Sequence, residues 1–267
     1  MPARSRAHIA SSFTVVKGAM IEETYAVLKA WEFDRSKRDN IDRLRRENYV
    51  KAKNAAWLDD VAWVLNRRFE PDTRDRPLAL LAKKGLSLEE WKPVLLWHIT
   101  RDEFLVRDFL VGWLYEAYLG GVDCFRTSDI VPYLESLKNR GAARKEPWAA
   151  ETTARVAAAI LKLAAEFGLL HGSIVKKFAK YRLPERSFMH LLYAMKDAQW
   201  SLNTIISSAD WRMYMMQRLD VEREIIRLRD NGKIGFDTRN DTAELVLPYS
   251  CALEYAQNCP LASETCP

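Results

Sequence analysis

Residues 149–183 read AAETTARVAAAILKLAAEFGLLHGSIVKKFAKYRL. In the first half, Val156, Ala157, Ile160, Leu161, Ala164 and Phe167 recur at three- and four-residue spacing. That spacing predicts a helix over 149–167 with one apolar face. Gly168 follows, where a helix favours a residue free to turn left-handed. The period then changes. Leu169 to Gly172 and Ile174 to Leu183, rich in β-branched and aromatic residues, read as two short strands about a Gly turn. Upstream, Thr127 or Ser128 can cap a helix running to about Lys138, and a basic loop, Asn139 to Lys145, leads through Pro147 and Trp148 into the long helix. Helix, turn, helix, hairpin is the order of a winged-helix unit.

Outward from this unit the chain stays helical. Met20, Ile21, Tyr25, Leu28 and Trp31 fall at helical spacing, and residues 35–53 form a thin amphipathic helix or helix–loop with a basic surface. Trp57, Leu58, Val61, Val64 and Leu65 mark a helix over 54–69, stopped by Pro71. Pro77 to Lys84 is a short helix ended by Gly85, and Ser87 with Glu90 is a capping box that starts the next. Residues 102–119 read as one apolar helix closed by Gly120 and Gly121. On the other side, 185–197 and 221–230 are helical, Asp210 stands where it can cap a short helix, and 233–247 read as a second hairpin with a polar tip at 238–241. The expectation is a mainly α, multi-helical globular protein with winged-helix-like helix–hairpin units. It divides into a helical region (1–120), a winged-helix-like region (121–198) and a helix plus β-hairpin region with a frayed tail (199–267).

Composition narrows the function classes. Of 267 residues, 48% are hydrophobic and 29% charged, the balance of a folded globular chain rather than a disordered one. The net charge of +5 is mildly basic, so its placement matters more than its total. Four cysteines without a C-x-x-C pair suit a reduced, cytoplasmic protein. The most apolar stretch, 104–119, is interrupted by Arg107, Asp108 and Glu116, so no membrane span is expected. The chain lacks G-x-x-x-x-G-K-S/T, G-x-G-x-x-G and G-x-S-x-G. His8, His98, His171 and His190 are scattered, with no i, i+4 pair to hold a metal. Neighbouring acids such as Asp59 and Asp60 diverge by about 100° on a helix and cannot converge on one atom. No catalytic residue, cofactor or metal is expected.

What remains is basic surface. One cluster is Arg35, Lys37, Arg38, Arg43, Arg45, Arg46, Lys51 and Lys53, whose plainest reading is solvated charge. A second is Lys138, Arg140, Arg144 and Lys145, before the long helix; a third is Lys176, Lys177, Lys180 and Arg182, in the wing. In a winged helix the loop, the N-terminal half of the recognition helix and the wing face one duplex. Thr152, Thr153 and Arg155 then stand where they can meet phosphates or base edges. Double-stranded DNA is the expected partner, bound with strong salt dependence. Phe178 and Tyr181 can stack on bases, although strand aromatics are more often core. The alternatives are a protein–protein scaffold whose basic clusters meet acidic partners, and RNA binding through residues 35–53.

Several stretches resemble the BrxA family of BREX phage-exclusion systems. They are Ser12-Phe-Thr and Gly18-Ala-Met-Ile-Glu-Glu23, then Trp148, Thr153-Ala-Arg-Val-Ala and Leu161, then Phe167-Gly-Leu-Leu170. The likeness continues through Trp211, Glu222, Asn231-Gly-Lys-Ile and Leu245-Val-Leu-Pro248, and spans about residues 12–258. The resemblance implies a mainly helical, non-enzymatic DNA-binding accessory protein, supporting host DNA methylation and phage restriction. It would act beside a DNA methyltransferase, an ATPase and a phosphatase-like protein. The family offers no catalytic residues to carry over.

Overall fold

The first helices are set by breaks in the apolar pattern. In the computed structural model, which describes residues 9–137, 148–198, 200–237 and 244–259, Gly18 (φ +82°) separates α1 (Phe13–Lys17) from α2 (Ile21–Lys29). Short polar side chains then start the next elements by accepting backbone amides that would otherwise be unpaired. Ser36 accepts from the Asp39 amide ahead of α3 (Lys37–Glu47), and Asn54 from the Trp57 amide ahead of α4 (Ala55–Arg68). After α5 (Arg76–Lys84), ended by left-handed Gly85, Ser87 accepts from the Glu90 amide to open α6 (Leu88–Thr100).

The apolar run 102–119 is not one uniform helix. It divides into α7 (Phe104–Asp108), a wider π turn over Phe109–Leu114, and α8 (Tyr115–Leu119). The π turn stacks the Phe109 and Trp113 rings at 5.5 Å with 12° between their planes, and Trp113 also meets Phe125 edge-on. Hydrophobic periodicity does not distinguish such a turn from regular helix.

Beyond it come α9 (Thr127–Ser136) and α10 (Ala150–Glu166), packed against each other. Neither Thr127 nor Ser128 caps α9. Arg126 occupies the cap position, and its amide donates to the Asp129 carboxylate at 2.7 Å. The strands are shorter than their sequence suggests: β1 (Leu170–His171) pairs antiparallel with β2 (Lys177–Phe178). Lys176 and Phe125 exchange both backbone hydrogen bonds, at 2.9 and 3.0 Å, so Phe125, two residues before α9, bridges to the hairpin from its other side.

The rest is α11 (Glu185–Asp197), α12 (Leu202–Ile206), a 3-10 turn (Ala209–Tyr214), α13 (Arg218–Asp230), the β3 (Gly235–Asp237) and β4 (Glu244–Val246) hairpin, and α14 (Ala252–Asn258). Ser208, not Asp210, accepts the amide that opens the 3-10 turn. The Asp210 carboxylate is buried instead, bonded to Trp97 Nε1 at 2.9 Å and to Arg107 at 2.5 Å, because α6 and α7 pack over it. One hydrophobic core runs through the described residues, centred on Trp31, Trp91, Phe109, Phe188 and Trp211. It joins α10 to the first helices: α1 packs on α10, and the Ala19 amide donates to Glu166 Oε2 at 3.2 Å.

Candidate nucleic-acid interface

Helix α10 turns Val156, Ala157, Ile160, Leu161 and Ala164 inward. Its outward face is Glu151, Ala154, Arg155, Ala158 and Lys162. Two alanines there give a low profile over which a groove can close, flanked by two long cations. Lys162, missed by the sequence reading, is 74% exposed and stands 3.6 Å from Glu166; its i, i+4 spacing from Ala158 was the available signal. Thr153 falls on the other side. It is 6% exposed and its hydroxyl donates to the Ala149 carbonyl at 3.2 Å. It shares the buried face with Val156 and Ala157, three and four residues on, so it leaves the candidate surface. Thr152 is half-buried at the margin.

The β1–β2 hairpin follows directly. Lys177, Lys180 and Arg182 are exposed, as is Arg155 on α10, and none of the four forms an ion pair among the described residues. Lys176 is half-buried, and its amine donates to the Gly172 carbonyl at 2.5 Å, tying the turn. Gly172 itself has φ +96°, and a Cβ there would lie 2.2 Å from the Val175 carbonyl oxygen, so only glycine fits. Phe178 packs edge-on against Tyr118 and Phe125, and Tyr181 stacks on Tyr214; both rings serve the interior. Lys138, Arg140, Arg144 and Lys145 lie outside the described residues.

The α3 cluster is built differently. Arg35 and Arg43 both pair with Glu32, Lys37 with Glu70 at 2.9 Å, Arg38 with Asp42 at 3.8 Å, and Arg45 with Asp59 at 3.1 Å. Arg43 is buried and also donates to the Ala30 carbonyl. Of that cluster, Arg46, Lys51 and Lys53 stay exposed with no carboxylate partner among the described residues.

A polar group also lies deep between α5 and α6. Asp75 Oδ1 meets His98 Nδ1 at 2.7 Å and Arg101 at 2.5 Å, and Oδ2 accepts the Glu70 amide at 2.7 Å. Burial alone would raise the Asp75 carboxyl, but the His98 bond and the His98 and Arg101 charges outweigh it and hold it well below the usual carboxylate range. Burial pushes His98 down despite Asp75. Next to it, His190 has no partner for either ring nitrogen among the described residues, and burial, with His98 nearby, pushes it to about 3. Asp75 and His190 are 0% exposed and His98 3%, so this Asp–His pair clamps two helices and does not face solvent. Among the described residues no group of three or more His, Cys, Asp or Glu is placed to hold a metal ion, and no helix is long and apolar enough to cross a membrane.

These features define a mainly α-helical, multi-helical globular protein with two helix–hairpin units. Residues 10–193 match the BrxA family, and the chain belongs to that family. It is therefore a component of a BREX phage-defence system, with other BREX components as its partners. No curated protein and no solved structure matches the chain.

Proposed function

We propose that the chain is a non-enzymatic, duplex-DNA-binding accessory component of its BREX system, working in the cytoplasm in support of host DNA methylation and phage restriction. In this reading α9, α10 and the β1–β2 hairpin act as a winged helix. The α10 face enters the major groove and the hairpin lies along the neighbouring phosphates. The observation that carries it is the set of exposed cations on one helix and its adjoining hairpin, Arg155, Lys177, Lys180 and Arg182, that no carboxylate among the described residues neutralises. Such charges are available to displace counterions from DNA, which is the main source of affinity for a polyanion.

Fluorescence anisotropy with a labelled duplex tests the reading. Affinity should fall steeply with salt. Lys177→Glu with Lys180→Glu should lower it on the order of tenfold or more and reduce the log–log salt slope by about two. Both side chains are exposed, so circular dichroism should not change. Absence of binding at low salt, or unaltered affinity in the double variant, overturns the assignment.

A protein–protein scaffold within the same complex is the second reading, favoured by a different surface. Trp63 is 49% exposed beside a cleft of about 490 Å³ between α3 and α4, lined by Lys37, Arg38, Ile41 and Arg45. Exposed tryptophan beside arginine is the composition of protein interface anchors. Co-purification with the other BREX components after nuclease treatment separates the readings. A nuclease-resistant complex lost in Trp63→Ala supports the scaffold, and a complex dissolved by nuclease supports DNA bridging.

A further inference from the structure

Ile174 is 82% exposed at the tip of the β1–β2 turn. The next most exposed large apolar side chain among the described residues is Leu219, at 60%. Turn tips are ordinarily filled by Gly, Asn, Asp, Ser or Pro, which suit tight backbone and water. An isoleucine there serves neither the turn nor the core. Its branched Cβ also limits its rotamers, so the side chain projects as a stiff unit. The turn beneath it is held in place: Gly172 fits only as glycine, and the Lys176 amine bonds the Gly172 carbonyl. Lys177 and Lys180 follow at once, both exposed and without an ion-pair partner among the described residues. The hairpin therefore presents one apolar point at its end and free positive charge along its flank.

We propose that Ile174 is an apolar wedge that enters the minor groove of duplex DNA, partly unstacks one base step and bends the duplex toward α10. This rests on the duplex-binding reading above. The division of labour is physical. Lys177 and Lys180 neutralise phosphates bordering the groove and bring the tip down to the base edges. The isoleucine, with no hydrogen bond to offer, gains by leaving water between two base pairs. Proteins that kink DNA use Phe, Leu, Ile, Met or Pro for this purpose. Flexible pyrimidine–purine steps deform most easily, so the preferred site should contain TA or CA/TG even where no side chain reads a base.

The test uses the full chain and a duplex of roughly 30 base pairs with a donor and an acceptor dye at its ends. A second duplex carries 2-aminopurine at a central TA step. Wild type should raise energy transfer on binding and raise 2-aminopurine fluorescence. Ile174→Ala should still bind, a few-fold more weakly, with the salt slope unchanged and both optical changes lost. Ile174→Leu should restore them. The inference is overturned if DNA bound to wild type stays straight, or if Ile174→Ala bends it as wild type does. If wild type does not bind the duplex at low salt, the DNA-binding reading itself fails, and anisotropy shows this separately.

Discussion

Two basic regions of this molecule look alike in sequence and differ in structure. Residues 35–53 carry eight Lys or Arg, twice the four at 176–182. Yet the richer region spends five of its eight on Glu32, Asp42, Asp59 and Glu70 and keeps three, Arg46, Lys51 and Lys53, while the shorter region keeps three of four, Lys177, Lys180 and Arg182, among the described residues. The first cluster ties α3 to its neighbours, whereas in the second only Lys176 ties anything, its own turn, through the Gly172 carbonyl. The difference teaches that the count of basic residues overstates the charge a surface can offer a polyanion: twice the cations leave the same number free, spread over a longer stretch of chain. A paired cation must first give up its carboxylate before it can meet a phosphate.

Acid is the bluntest way to break the comparison, because it undoes the frame under both regions. The unfolded chain protonates His190 near the ordinary histidine value of about 6.5, while the folded chain resists down to about 3. Between those values the unfolded state binds more protons, so stability is lost as pH falls through that window. At pH 4 His190 alone should account for about 3 kcal/mol of the loss. Urea midpoints taken between neutral and about pH 4 should fall steeply in wild type and less in His190→Leu; equal slopes refute the assignment.

Arg43→Ala comes next. It strips Glu32 and the Ala30 carbonyl of a buried partner and should cost about 2 kcal/mol in urea unfolding. Lys177→Ala, by contrast, should leave stability within about 0.5 kcal/mol. If the two variants unfold alike, the distinction between structural and available cations is wrong. The smallest effect is expected for Arg38→Glu with Arg45→Glu. Duplex affinity should change by less than about threefold, against tenfold or more for the hairpin reversal. A larger loss from the α3 pair would move the DNA surface to the first helices.

Much of the fold was legible because the helices are long or clearly capped. Ser36, Asn54 and Ser87 start helices that their sequence spacing already marks, and the face of α10 follows from its apolar period. That same period places Thr153 with Val156 and Ala157, so its burial was legible too. Other features carried no local signal. The partners of Lys37 and Arg45 lie 33 and 14 residues away, and pairing across elements leaves no mark on either segment. Nor does the π turn, whose residues are as apolar as those of an ordinary buried helix. Ile174 was visible in sequence, but as a strand residue; only the shortness of β1 and β2 puts it on a turn in water.

The π turn at 109–114 also concerns how this chain can change length. A π turn holds one residue more than regular helix needs for the same advance. Deleting one residue within 109–114 would therefore let the turn relax to regular helix with nearly the same advance and phase, leaving the elements beyond it where they are. What would be lost is local, the placing of Trp113 against Phe109 and Phe125. The segment works as a length buffer inside a buried helix. Among BrxA proteins that share this architecture, these six residues are where a buried helix should tolerate a one-residue difference in length.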